Sequence, residues 1–286
     1  MKTLLLSNLK SSARSAGKKA TPLRRSFCIT NPSIQKATVL GFGCLLFAIA
    51  AFCKADTPVE STGNETRPTD ATGFLTLFDG KTLDGWKAYP EATASDWSVV
   101  DGSIVGSGSA DRQSYLVWKD REIRDFELRL RYRLKTKGNT GVEIRAIPDG
   151  SRRRPFEGYH ADLGHVDIGP NILGAWDLHF AKNPARQRKS HTCPRGTHVT
   201  IDEHDETLIR PIENPIAISE IHDGDWNDIR VTARGYHFEF YINGKHASSL
   251  TDNASFGRLD KGAIGLQIHD RGMRVEFQDI QLKRLD

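Results

Sequence analysis

The sequence predicts an all-β protein, an antiparallel β-sandwich, on three observations. Apolar and polar residues alternate at period two along several stretches. Turn pairs carrying glycine separate those stretches. Beyond residue 55, no long segment carries an apolar stripe at helical spacing.

The first 55 residues hold nine Lys and Arg and no acidic residue, and residues 37–52 are almost wholly apolar. A basic segment, an apolar run of that length and then small residues before Asp56 read as a signal peptide, or else as an N-terminal anchor. The run is short for a membrane span, which needs roughly 20 apolar residues. The expected location is therefore outside the cytoplasm, periplasmic or extracellular, with any membrane contact made through that N-terminus. Without the leader, the formal +4 of the chain becomes 31 basic against 36 acidic residues. An acidic domain is a poor partner for nucleic acid. Three of the four cysteines (Cys28, Cys44, Cys53) lie in the leader, which leaves Cys193 alone and excludes an intrachain disulfide.

Residues 56–72 hold almost no large apolar side chain and read as a flexible linker. The folded domain is expected over 73–286. Its clearest strand is 126–134, where Phe126, Leu128, Leu130, Tyr132 and Leu134 point one way and Glu127, Arg129, Arg131 and Arg133 the other. Similar alternation recurs at 142–146, 228–233, 237–242, 263–269 and 274–283. Gly138-Asn139, Arg234-Gly235, Asn243-Gly244 and Arg271-Gly272 mark turns. Residues 176–222 break this rhythm with a mixture of His, Arg, Asp and Pro, and read as a long loop insertion.

Residues two apart on a strand share a face. Glu143 and Arg145 therefore form one polar pair, with Val142 and Ile144 on the opposite face. His160 with Asp162 forms a second pair, Gln267 with His269 a third, and Asp177 with His179 follows Trp176. A His–Asp combination can exchange protons or hold a divalent metal. Tyr159 and Trp176 could each offer an apolar platform to a sugar ring or belong to the core. His191, His198, His204 and His222 are too irregularly spaced for a metal motif, and Arg152-Arg153-Arg154 reads as a solvated turn.

Several separated stretches resemble the 3-keto-disaccharide hydrolase domain family. They are the Gly-Phe-Leu-Thr-Leu-Phe-Asp-Gly opening at 73–80 with Leu83-Asp84-Gly85-Trp86, and Trp97-Ser98-Val99-Val100-Asp101-Gly102. Further along come Gly138-Asn139-Thr140-Gly141-Val142-Glu143-Ile144-Arg145, Gly158-Tyr159-His160-Ala161-Asp162-Leu163-Gly164, Trp226-Asn227-Asp228-Ile229-Arg230 and Gly265-Leu266-Gln267-Ile268-His269. The sequence departs from the family at His160 and Leu178. The resemblance implies a concanavalin-A-like jelly roll and an enzyme cleaving 3-keto-glycosides or 3-keto-disaccharides, by hydrolysis or by C2 deprotonation and elimination. It implies Asp162, His269 and Glu143 as catalytic residues. Arg145, Gln267, Tyr159, His160, Trp176 and Asp177 would contact the carbohydrate substrate. No cofactor is fixed by the sequence, although these side chains allow a divalent metal. A non-catalytic carbohydrate-binding sandwich is the alternative, since a jelly-roll concavity can hold a glycan without chemistry.

Overall fold

The alternation becomes two facing sheets in the computed structural model, which describes residues 69–109, 113–149, 155–169 and 172–285. The leader, its three cysteines, most of the linker and Arg152–Arg154 lie outside the described residues. One sheet runs in the order β12 (Thr207–Pro211), β11 (Thr197–Ile201), β15 (Lys245–Asp252), β14 (His237–Ile242), β13 (Asn227–Arg234), β6 (Phe126–Leu134), β17 (Arg274–Arg284), β4 (Ser103–Ser107), β3 (Trp97–Val100), with β1 (Leu75–Thr76) also on β17. The other runs β10 (Thr192–Cys193), β9 (Trp176–Leu178), β8 (Phe156–Gly164), β7 (Asn139–Pro148), β16 (Ala263–Ile268), β5 (Ser114–Trp118), β2 (Trp86–Tyr89). Among the described residues every strand pair is antiparallel except β11 with β15. The fold is the expected β-sandwich of jelly-roll type. No helix among the described residues is long and apolar enough to cross a membrane.

The core lies between the sheets. Phe126, Leu128, Leu130, Tyr132 and Leu134 of β6 meet Val142 and Ile144 of β7 and Tyr159, Ala161 and Leu163 of β8 in one apolar cluster. The polar alternates of β6 face solvent, as an antiparallel sheet with one wet face requires. The seven-stranded sheet differs. All nine residues of β8 are buried, so its second face is covered too. That second face carries a small apolar patch of Tyr115, Val117, Ala146, Phe156 and Ala263 beside a set of buried polar side chains.

Residues 176–222 are more ordered than a loop insertion. They hold β9 to β12 and three short 3-10 turns. Leu178, Phe180, Cys193, Val199, Ile201, Ile216 and Ile221 anchor them in the core. Strands of two to five residues separated by prolines are too brief for their alternation to show. At the other end, Thr69 bridges to Leu75, and Asp70 accepts the amides of Thr72 and Phe74. The last residues assigned to the linker thus belong to the domain.

Candidate active site

Cross-strand register assembles the polar face. Asp177 on β9 lies opposite His160 on β8, His160 opposite Glu143 on β7, and Glu143 opposite Gly265 on β16. One row across four strands therefore carries Asp177, His160 and Glu143 in succession. Asp162 is one pleat along β8, opposite Gly141. His179 arrives from the 3-10 turn His179–Lys182 that follows β9.

These five side chains form an alternating chain of carboxylates and imidazoles. Glu143 Oε1 contacts Nδ1 of His179 and lies 3.0 Å from Nδ1 of His160. His160 Nε2 is 3.2 Å from Asp162 Oδ1, and His179 Nε2 is 3.4 Å from Asp177 Oδ2. Lys182 Nζ backs Asp177 at 3.1 Å. The two imidazoles stack with centroids 4.3 Å apart and planes at 18°. Glu143 is fully buried, and His160 and His179 are nearly so.

Two glycines make room for this arrangement. A Cβ at Gly141 would lie 2.3 Å from the His160 ring, and one at Gly158 would lie 2.6 Å from Glu143 Oε2. Any side chain at either position would displace the cluster.

Electrostatics follow from burial and pairing. Burial disfavours the charged form of Glu143, yet the flanking imidazoles of His179 and His160 hold its carboxyl below the ordinary carboxylate range. Burial likewise opposes protonation of His160, and the carboxylates of Glu143 and Asp162 outweigh it, raising its pKa. Asp177 is also lowered; burial opposes this, but His179 and Lys182 win.

The donor set suits a divalent cation. Glu143, His160 and His179 each offer a ligand atom, all within 4.8 Å of one another. Two imidazoles with one carboxylate is a recurrent ligand set for first-row metals. Each Nε2 faces an aspartate, the backing that fixes a ligating imidazole's tautomer. Glu143 Oε2 has no hydrogen-bond partner among the described residues, and neither His160 nitrogen has an aligned one. Buried polar atoms left so are costly unless a ligand completes them.

Residues 73–283 match the family model described as the 3-keto-alpha-glucoside-1,2-lyase-like domain. The chain belongs to this family. An 82-residue stretch is 35% identical to a 3-keto-disaccharide hydrolase of Bacteroides thetaiotaomicron, covering 26% of this chain and 28% of that protein. Among solved structures, a Parabacteroides distasonis protein assigned to the glycosyl hydrolases is 20% identical, with a TM-score of 0.51 over 76% of this chain and 95% of that one. The carbohydrate-binding module CBM66 from Bacillus subtilis aligns at 14% identity and a TM-score of 0.43, over 70% of this chain and 95% of the module.

Within this family member, His160 lies against Asp162 and His179 against Asp177, the two pairs that residue spacing suggests, and the strand register brings Glu143 to both imidazoles. Gln267 lies on the same sheet, its amide donating to Tyr115 Oη at 2.8 Å. Other expectations need correction. Arg145 does not share the face of Glu143. The β7–β8 register slips between Ile144 and Ile147, and Arg145 has a φ of 47°, so the period of two fails there. Its buried guanidinium instead serves the carbonyls of Arg124, Leu259 and Gly235 and the carboxylate of Asp125. Tyr159 is a core residue, packed on Phe180 and Phe238 with its hydroxyl on Asp252. Trp176 is also buried, against Phe238 and Phe240, and neither ring can face a sugar. His269 makes no contact with the cluster among the described residues; it lies just past the end of β16, with Nδ1 on Asp270 at 2.7 Å. Of the irregular histidines, His191 pairs with Asp205 and His198 with Thr251, in keeping with structural roles.

Proposed function

We propose that this protein cleaves 3-keto-glycosides or 3-keto-disaccharides outside the cytoplasm, by removing the C2 proton and expelling the C1 substituent. The observation that carries this reading is the alternating chain Asp162–His160–Glu143–His179–Asp177, buried beneath one face of the seven-stranded sheet. A ketone at C3 acidifies the C2 proton, so the reaction needs a base, a stabiliser for the developing enolate and an acid for the leaving oxygen.

Glu143, His160 and His179 are the residues that would hold a divalent cation. When bound, such an ion would polarise the ketone oxygen. The two aspartates then divide the remaining work. Asp177, held ionised by His179 and Lys182, is a poor base and serves to orient His179. Asp162 is the base. It takes the proton from C2 as the C1–O bond breaks and the C1=C2 bond forms, then returns that proton to the departing oxygen. Water adding across the enone, hydroxyl to C1 and hydrogen to C2, completes a net hydrolysis. The basic and apolar leader supports placing this activity outside the cytoplasm.

Purified protein incubated with a 3-keto-disaccharide should release a free sugar together with an enone or its hydrate. The rate should fall with a chelator and return with an added divalent metal. If no product forms with or without metal, while the glycan binds, the domain is a carbohydrate-binding sandwich and the catalytic reading fails.

A further inference from the structure

An open groove of about 260 Å³ lies at the β7–β8 hairpin end of the sheet that carries the cluster. It can take one sugar unit and falls just short of the volume of a drug-sized site. Ala146, Arg121, Arg186, Arg258, Asp260 and Lys261 are among its lining residues. Part of this charge is internally matched. Arg186 pairs with Glu157 at 2.8 Å, Lys261 with Glu122 at 2.5 Å and Asp260 with Arg124 at 2.5 Å.

Arg121 and Arg258 have no carboxylate partner among the described residues. Arg121 donates to Tyr89 Oη at 2.8 Å. Arg258 donates to the Asp252 carbonyl at 3.2 Å, and its guanidinium rests 3.7 Å from the Tyr236 ring centroid. Both cations are thus held by aromatic and neutral groups that leave their charge uncompensated. A guanidinium fixed in this way is prepared for an oxyanion, which it can bind through two parallel N–H donors.

The groove adjoins the reacting cluster. The Cβ position at Gly158 meets both Glu143 Oε2 at 2.6 Å and Ala146 Cβ at 3.4 Å. Only the width of one missing side chain separates the buried carboxylate from the groove wall.

We infer that the groove binds an anionic group, a carboxylate, sulfate or phosphate, on the part of the substrate beyond the oxidised ring; this rests on the keto-glycoside reading of the adjoining cluster. The favoured substrates are then glycosides of an acidic sugar or acidic aglycone, and neutral disaccharides are the poorer ones.

The test compares 3-keto-glucosides whose second unit is glucose, glucuronate, glucose 6-sulfate or glucose 6-phosphate, with the full chain as enzyme. At least one acidic substrate should exceed the neutral one in kcat/KM by about tenfold, the scale of one hydrogen bond to a charged group. The acid with the largest ratio identifies the anion. Added salt should shrink the ratio, and Arg121→Gln with Arg258→Gln should bring it toward one. Arg121→Gln alone changes an exposed side chain, so it tests the same point should the double variant not fold. Equal kcat/KM for all four, or a ratio that survives both substitutions, would overturn the proposal. If no substrate turns over, the keto-glycoside reading fails, and binding of the unoxidised acidic and neutral disaccharides decides for the groove. Salt-sensitive binding of the acidic one, weakened in Arg121→Gln, supports an anion site, and equal binding rejects it.

Discussion

His160 and His179 stack face to face although one is in mid-strand and the other in a 3-10 turn nineteen positions later, and Glu143 contacts Nδ1 of both. Two imidazoles brought so close repel once both carry protons. The carboxylate between them offsets that repulsion, and a cation would take the place of those protons.

Replacing Glu143 by Gln keeps the size of the side chain and removes its charge. Affinity for zinc or cobalt, measured by calorimetry, should fall at least about 100-fold. Turnover of a 3-keto-disaccharide should be lost with it. Unchanged metal affinity would place the ion elsewhere.

Asp162 and Asp177 should separate in kinetics. Asp162→Asn should lower kcat by about 100-fold or more even at saturating metal, beyond the roughly 10-fold weaker metal binding that comes from losing the partner of His160 Nε2. Asp177→Asn should loosen His179 and show mainly as weaker metal binding, about 10-fold. The reverse pattern would exchange the two roles.

Gly158→Ala adds one methyl group at a point 2.6 Å from Glu143 Oε2 and 3.1 Å from the Ile144 carbonyl oxygen. Overpacking of this kind costs about 1–3 kcal/mol. The variant should melt earlier and bind metal more weakly, because Glu143 must move. A protein with wild-type melting and metal affinity would show that the cluster is less tightly seated.

Arg188 is buried with Asp252 and Asp205, donating at 3.0 Å and 2.9 Å, and Asp252 also accepts the Tyr159 hydroxyl at 2.7 Å. Arg188→Met would leave two buried carboxylates without their cation. Urea denaturation should show a loss of about 3–5 kcal/mol. A loss below about 1 kcal/mol would mean that solvent reaches the pair.

Cys193 should be inert. Burial disfavours the thiolate and pushes the thiol up to about 11. At pH 8 the folded protein should leave Cys193 unmodified by iodoacetamide in mass analysis, and denaturant should expose it. Rapid labelling of the native protein would contradict the burial.

Much of this site was legible because strands impose a fixed alternation. Glu143, His160, Asp162 and Asp177 are polar residues at alternating positions of apolar stretches, and register places them together. Arg145 obeys the same spacing and still turns away, since one left-handed residue at a bulge resets the period. The position of His179 was not legible, because a 3-10 turn has no alternation from which to read direction. Its signal was only the Asp-x-His spacing after Trp176. Tyr159 and Trp176 are amphipathic rings that suit a core as well as a sugar platform, and only the packing of the opposite sheet decides between them.

The segment from β9 to β12 starts on one sheet and finishes on the other, where β11 runs alongside β15. Its first part carries Asp177 and His179. Those residues take their place through the pairing of β9 with β8, a near neighbour in the chain, while only the later part of the segment waits for β15. Glu143, His160 and His179 are thus gathered from strands β7 to β9 and the turn after them, a stretch of short loops that can assemble before the sandwich closes. Folding of the site and closing of the two sheets are separable events.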